Sequence, residues 1–92
     1  MFSYDLSDKL RRKTKKLGKK DRILAENMKN KIKEIVSHNK NTIDTYKNLK
    51  SSMDEYKRIH LTDNYILLFV VNKEENHTLF MDIAHWDKVY RA

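Results

Sequence analysis

The chain contains no cysteine, no proline and a single glycine in its 92 residues. Without cysteine there can be neither a disulfide framework nor a thiolate zinc site. The lack of proline and near-lack of glycine leave little turn punctuation, so mostly regular structure with short connections is expected. One glycine also excludes a nucleotide-binding loop. The four histidines, His38, His60, His77 and His85, have no ligand-type spacing, and no HExxH or paired-carboxylate motif appears. Neither a metal nor another cofactor is therefore expected. No serine stands in a nucleophile-elbow context. The longest apolar run, Tyr65 to Val71, is far too short for a membrane span. Asp5, Asp8 and a run of lysines stand where a signal peptide would need apolar residues. These absences predict a cytoplasmic protein with no membrane partner. The length allows one domain, residues 1–92, with one modest core.

Positive charge is what the chain has in excess. Twenty Lys and Arg stand against thirteen Asp and Glu, a formal charge of +7. From Lys9 to Lys20 there are eight basic residues and no acidic one, whereas after Leu61 three basic residues face five acidic ones. Such a concentrated excess suits a polyanionic partner: nucleic acid, an acidic protein or an anionic surface. The competing reading is a solvated, lysine-rich surface.

The hydrophobic pattern divides the chain into helical and extended parts. Phe2, Tyr4 and Leu6 alternate with polar neighbours, as in a short opening strand. Ser7 is a helix N-cap with Asp8 in the first turn. Leu6, Leu10, Thr14 and Leu17 then form a narrow apolar stripe opposite Arg11, Arg12, Lys15, Lys16 and Lys19. Gly18 is expected to end this helix. Leu24, Met28, Ile32 and Ile35 predict a second helix over about 20–38, giving a helical hairpin. The stretch 39–55 is the least legible, with Tyr46 and Leu49 as candidates for packing. Tyr56–Leu61, Tyr65–Asn72 and Thr78–Ala84 read as strands joined by short polar turns, and hence as an antiparallel meander. The expected fold is α+β, in the order β-α-α-β-β-β. It consists of a twisted antiparallel sheet with the hairpin packed on one face.

Two groups of residues could carry chemistry. Strand alternation places Ile59 and Leu61 on one face, toward the helices, and Tyr56, Arg58 and His60 on the other. A guanidinium beside an imidazole on a basic surface suits binding and reaction at a phosphate. It is equally an ordinary wet strand face. The second group is the tail, where His85, Trp86, Asp87, Lys88, Tyr90 and Arg91 crowd together. Aromatic rings beside basic groups suit RNA recognition, although Trp86 and Tyr90 could instead seal the core. His38 and His77, at a helix end and in a turn, read as bystanders.

The order of elements, the Tyr56-Lys57-Arg58-Ile59-His60-Leu61 strand, the Asp63-Asn64-Tyr65-Ile66-Leu67-Leu68-Phe69 strand and the ending Ile83-Ala84-His85-Trp86-Asp87-Lys88-Val89-Tyr90-Arg91 resemble the RelE/ParE toxin superfamily. The likeness is strongest to the archaeal RelE branch, with YafQ-like features around the two histidines. It covers essentially the whole chain and is most specific in the last forty residues. It implies the toxin of a type II toxin–antitoxin module, a ribosome-dependent, metal-independent endoribonuclease that cuts messenger RNA in the A site. The implied partners are a RelB-like antitoxin, in a complex that could be a heterotetramer, together with messenger RNA and the ribosome. The implied catalytic residues are His60, His85, Tyr90 and Arg58, and the implied RNA contacts are Lys57 and Arg91. The Arg11, Arg12, Lys15, Lys16 and Lys19 face would hold ribosomal RNA backbone. This chain has Ile66 and Trp86 where RelE toxins carry arginines, which weakens phosphate stabilisation unless Arg58 and Arg91 compensate. A ParE-like toxin acting on gyrase and a non-catalytic RNA- or protein-binding relative are the alternatives on the same scaffold.

Overall fold

The computed structural model describes residues 1–46 and 56–87. Strand β1 (Ser3–Leu6) leads into α1 (Asp8–Lys20) and α2 (Arg22–Ser37), followed by a 3-10 turn, Ile43–Thr45. Strands β2 (Lys57–His60), β3 (Tyr65–Asn72) and β4 (His77–His85) complete the order. The last three form the expected antiparallel meander. β1 joins parallel to β4, so the four-stranded sheet is mixed, in the order β1-β4-β3-β2. That parallel edge corrects the wholly antiparallel expectation. A helical hairpin lies between β1 and the meander and carries the chain back, so no tight turn constrains β1's direction.

Ser7 caps α1 as its sequence suggests, and Asp21 caps α2. The Ser7 hydroxyl accepts from Leu10 N at 3.1 Å, and the Asp21 carboxylate accepts from Leu24 N at 3.0 Å. Gly18 does not end α1. The helix runs on to Lys20, and Asp21 serves as both its C-cap and the N-cap of α2. Since Asp21 supplies the stop, no left-handed glycine is needed. The left-handed turn residue among those described is Asn76, with φ 55°, ahead of β4.

Leu10, Leu24, Met28, Ile32, Ile35 and Val36 from the helices bury against Leu67, Phe69, Phe80 and Ile83 of the sheet. Ile59 packs on this cluster and Leu61 is buried within it, as strand alternation requires. Ile43, in the poorly legible connection, is fully buried there too, and Tyr46 packs against the cluster. Leu49 lies outside the described residues.

The far side of the sheet is not wet across its width. Ile66 and Leu68 are buried in a second small cluster with Tyr56 packed against it. β3 is thus apolar on both faces because both are covered. A bulge between Leu68 and Phe69 sets Leu68 opposite Asp82 and Phe69 opposite Phe80. β1 pairs only with residues 77–80, leaving the rest of the β4 edge beside α1. There the Ser7 hydroxyl donates to Met81 O, and Lys13 Nζ donates to Ile83 O at 3.0 Å. These bonds satisfy backbone carbonyls that an exposed edge would leave open. Among the described residues, no helix is long and apolar enough to cross a membrane.

Candidate functional site

The basic residues of α1 sort into two sets. Lys9 and Lys13 reach Asp82 at 3.1 and 2.7 Å. Burial raises the pKa of the Asp82 carboxyl, but the two ammonium groups outweigh it and leave the value below the ordinary range. Arg11 is also partly engaged, donating to Leu6 O at 3.1 Å and lying 3.7 Å from Asp5. Arg12, Lys15, Lys16 and Lys19 are exposed and form no ion pair among the described residues. Leu10, fully buried beneath them, orients this unopposed stripe outward.

Arg58 and His60 lie two residues apart on β2, on the face away from the helices. The register sets them across from Leu68 and Ile66. His60 is exposed and Arg58 half-buried. Lys57 is placed differently. Its parity turns it toward the core face, where it is buried, with Nζ 3.1 Å from Asp44 and 3.2 Å from Tyr46 O. The resemblance implies Lys57 as an RNA contact; in this structure its ammonium anchors the 43–46 segment.

His85 ends β4 opposite Tyr65, and the two rings meet edge to face at 5.4 Å. Alternation from the buried Ile83 places His85 on the helix-side face, so the sheet separates it from His60. The Asp87 N–H donates to His85 Nδ1 at 3.3 Å, leaving the neutral ring's proton on Nε2. Trp86 is 38 % exposed. Tyr90 and Arg91 lie outside the described residues. Between the two helices and the start of β3 a groove of about 370 Å³ opens beside Tyr65.

The histidines read as bystanders take part in polar clusters. His77 opens β4 rather than sitting in a turn. Its Nδ1 is 2.7 Å from the Ser3 hydroxyl and its Nε2 3.5 Å from Asp5. His38 packs edge to face on Tyr46, whose hydroxyl donates to Glu34. That bond lowers the Glu34 pKa; burial, then Glu34, raises that of Tyr46. The first cluster joins residues 74 positions apart, so local spacing carried no signal for it, whereas the second lies within residues 34–46. Among the described residues, no group of three or more His, Asp or Glu could hold a metal ion.

No established sequence-family model matches the chain. It is 26 % identical over 91 residues to a protein of Methanocaldococcus jannaschii named "Putative toxin RelE4", spanning 99 % of this chain and 93 % of that one. It is 31 % identical over 90 residues to an uncharacterized protein of Methanosarcina mazei, spanning 98 % of this chain and all of that one. The chain belongs to the RelE/ParE toxin superfamily. Solved structures share the fold at low identity. The YoeB/ParE toxin of Agrobacterium tumefaciens superposes with a TM-score of 0.74 at 12 % identity, over 91 % of this chain and 98 % of that one. For E. coli YafQ the TM-score is 0.70 at 16 % identity, over 98 % and 99 % of the two chains. A chain of the intact E. coli RelBE toxin–antitoxin complex gives 0.69 at 20 % identity, over 92 % and 96 %. Within this superfamily frame the chain supplies an outward basic helix face, an Arg58–His60 pair on the far sheet face and a Tyr65–His85 pair at the sheet's end.

Proposed function

We propose that the chain is the toxin of a type II toxin–antitoxin module and acts as a ribosome-dependent, metal-independent endoribonuclease on messenger RNA. The observation that supports this reading is the presence of half-buried Arg58 and exposed His60 together on the sheet face away from the helices, in a superfamily member whose α1 also carries exposed basic residues, unpaired among the described residues. The RNA itself supplies the nucleophile. His60 takes the proton from a ribose 2′-OH, whose oxygen attacks the adjacent phosphorus as the bond to the 5′ oxygen breaks. Arg58 stabilises the charge on the crowded phosphate. The leaving oxygen takes a proton from a second donor, for which Tyr90 is the family-implied candidate. His85 faces the other side of the sheet and already accepts a backbone N–H at Nδ1, so it does not share a phosphate with His60.

Arg12, Lys15, Lys16 and Lys19 hold ribosomal RNA backbone, a contact that weakens as salt rises. A RelB-like antitoxin neutralises the toxin, as the known RelBE and YoeB–YefM complexes suggest by analogy. Primer extension on a defined messenger programmed on ribosomes tests the proposal. Cuts that require ribosomes are expected. They should fall by a factor on the order of 10²–10⁴ in His60→Ala, and much less in His85→Ala. No cuts from the folded, antitoxin-free protein, together with inhibition of gyrase supercoiling, would establish the ParE-like alternative instead.

A further inference from the structure

The groove between the helices and β3 has a composition that neither the Arg58–His60 face nor the basic stripe shares. Leu17, Leu24 and Ile83 supply its apolar lining, the 36 % exposed Tyr65 borders it, and Lys13, Lys16 and Lys20 line it with basic groups. Asp21 contributes a carboxylate to the same lining. Its volume, about 370 Å³, falls within the range of about 300–1,000 Å³ usual for pockets that take small organic groups. Lys16 belongs to the exposed stripe of α1, and Lys20 follows it one turn later. The groove is therefore continuous with the surface assigned above to RNA backbone.

We infer that this groove is a nucleobase-binding subsite, which takes one unstacked base of a bound RNA strand. The inference rests on the reading that the α1 face meets RNA, and extends it from backbone contact to base contact. A base laid on the apolar lining would stack on Tyr65, while Lys16 and Lys20 take the phosphates on either side. The Asp21 carboxylate discriminates among occupants. One of its oxygens accepts the Leu24 N–H, and a carboxylate retains further acceptor capacity. It can accept from the exocyclic amino group of cytosine, adenine or guanine, which uracil lacks. An acidic peptide, the other ligand that a lysine-lined apolar groove could attract, meets repulsion at Asp21 that an amino-bearing base does not. The subsite therefore prefers amino-bearing bases, and it lies across the sheet from Arg58 and His60.

Methyl and aromatic NMR on the full chain tests this, titrating at fixed low salt with a short oligocytidylate and the matching oligouridylate. Shifts are expected at the Leu17, Leu24 and Ile83 methyls and the Tyr65 ring, with the cytidine strand binding more tightly. Tyr65→Leu should weaken both strands by about tenfold. Asp21→Asn keeps an N-cap residue and should erase the preference for cytidine over uridine. Groove methyls that stay still while α1 lysine resonances move would overturn the inference. So would an unchanged preference in Asp21→Asn, or tighter groove binding by a Glu/Leu-rich peptide. The two proposals fail separately: a responsive groove without ribosomal cleavage defeats only the nuclease, and cleavage with a silent groove defeats only the subsite.

Discussion

Replacing Lys57 by Met distinguishes a structural lysine from an RNA-contacting one. Lys57 is 8 % exposed, and its stem lies on the core face, opposite Phe69 in the ladder. Methionine has a similar unbranched stem, so most of the buried apolar area survives. What disappears is the ammonium, 3.2 Å from Tyr46 O and 3.1 Å from Asp44. A hydrogen bond from a charged donor is worth about 1.5–3 kcal/mol in isolation of other effects, and relief from burying the cation offsets part of that. Asp44 is not stranded by the change, because Lys73 still holds its other oxygen at 2.6 Å. The expected net loss is about 1 kcal/mol, read as a lower urea midpoint at unchanged m-value. Ribosomal cleavage per folded molecule should stay within about twofold of wild type, since a loss near 1 kcal/mol leaves the native state dominant. A tenfold loss of RNA binding with wild-type stability would refute this reasoning and return Lys57 to the RNA surface.

Two further outcomes follow from buried polar groups. Thr78 is fully buried on β4, and its hydroxyl has no hydrogen-bond partner among the described residues. Thr78→Val should therefore stabilise the fold by about 1 kcal/mol, read by chemical denaturation; a lower midpoint would show the hydroxyl to be satisfied. Asp82 has a folded pKa below the ordinary value of 3.8, because Lys13 and Lys9 outweigh its burial. Its contribution is complete above the unfolded carboxylate pKa and is lost as pH falls through the lower folded value. Asp82→Asn should cost about 1 kcal/mol at neutral pH, discounted for the exposed Lys9. It should also flatten the stability profile below about pH 4, relative to wild type. Parallel profiles would place the acid sensitivity elsewhere.

What could be read from the sequence was what depends on local period and local capping. The apolar positions of α2 recur at helical spacing, and Ser7 announces its cap within three residues. The alternation of Arg58, Ile59, His60 and Leu61 assigns each side chain its face before any fold is known. That same alternation already put Lys57 beside Ile59, toward the core; its charge obscured the signal. Other features depend on pairing between distant segments. The parallel union of β1 with β4 joins residues about 75 positions apart, and it creates the Ser3–Asp5–His77 cluster. Ile43 sits in a stretch with no periodicity, so its complete burial had no local mark. Gly18 shows how a strong local cue can fail: a Cβ there would meet nothing within 4 Å, and Asp21 ends the helix instead.

The separation of the α1 cations from Arg58 and His60 bears on why the proposed nuclease would depend on a ribosome. The unopposed cations of α1 lie in the helical layer, whereas Arg58 and His60 lie beyond the sheet. A short free strand of messenger cannot easily contact both without passing around the sheet edge. Each contact alone is weak: backbone contacts screened by salt on one side, and a small reacting pair on the other. A ribosome presents fixed RNA and a bound messenger together, so both faces can be engaged with the orientation already set. Positioning of that kind can supply much of a reaction barrier's entropic part. On this reading the ribosome acts as the other half of the active site, and the toxin's modest catalytic set of Arg58 and His60 suffices because the assembly, not the toxin alone, aligns the 2′-OH with the phosphate.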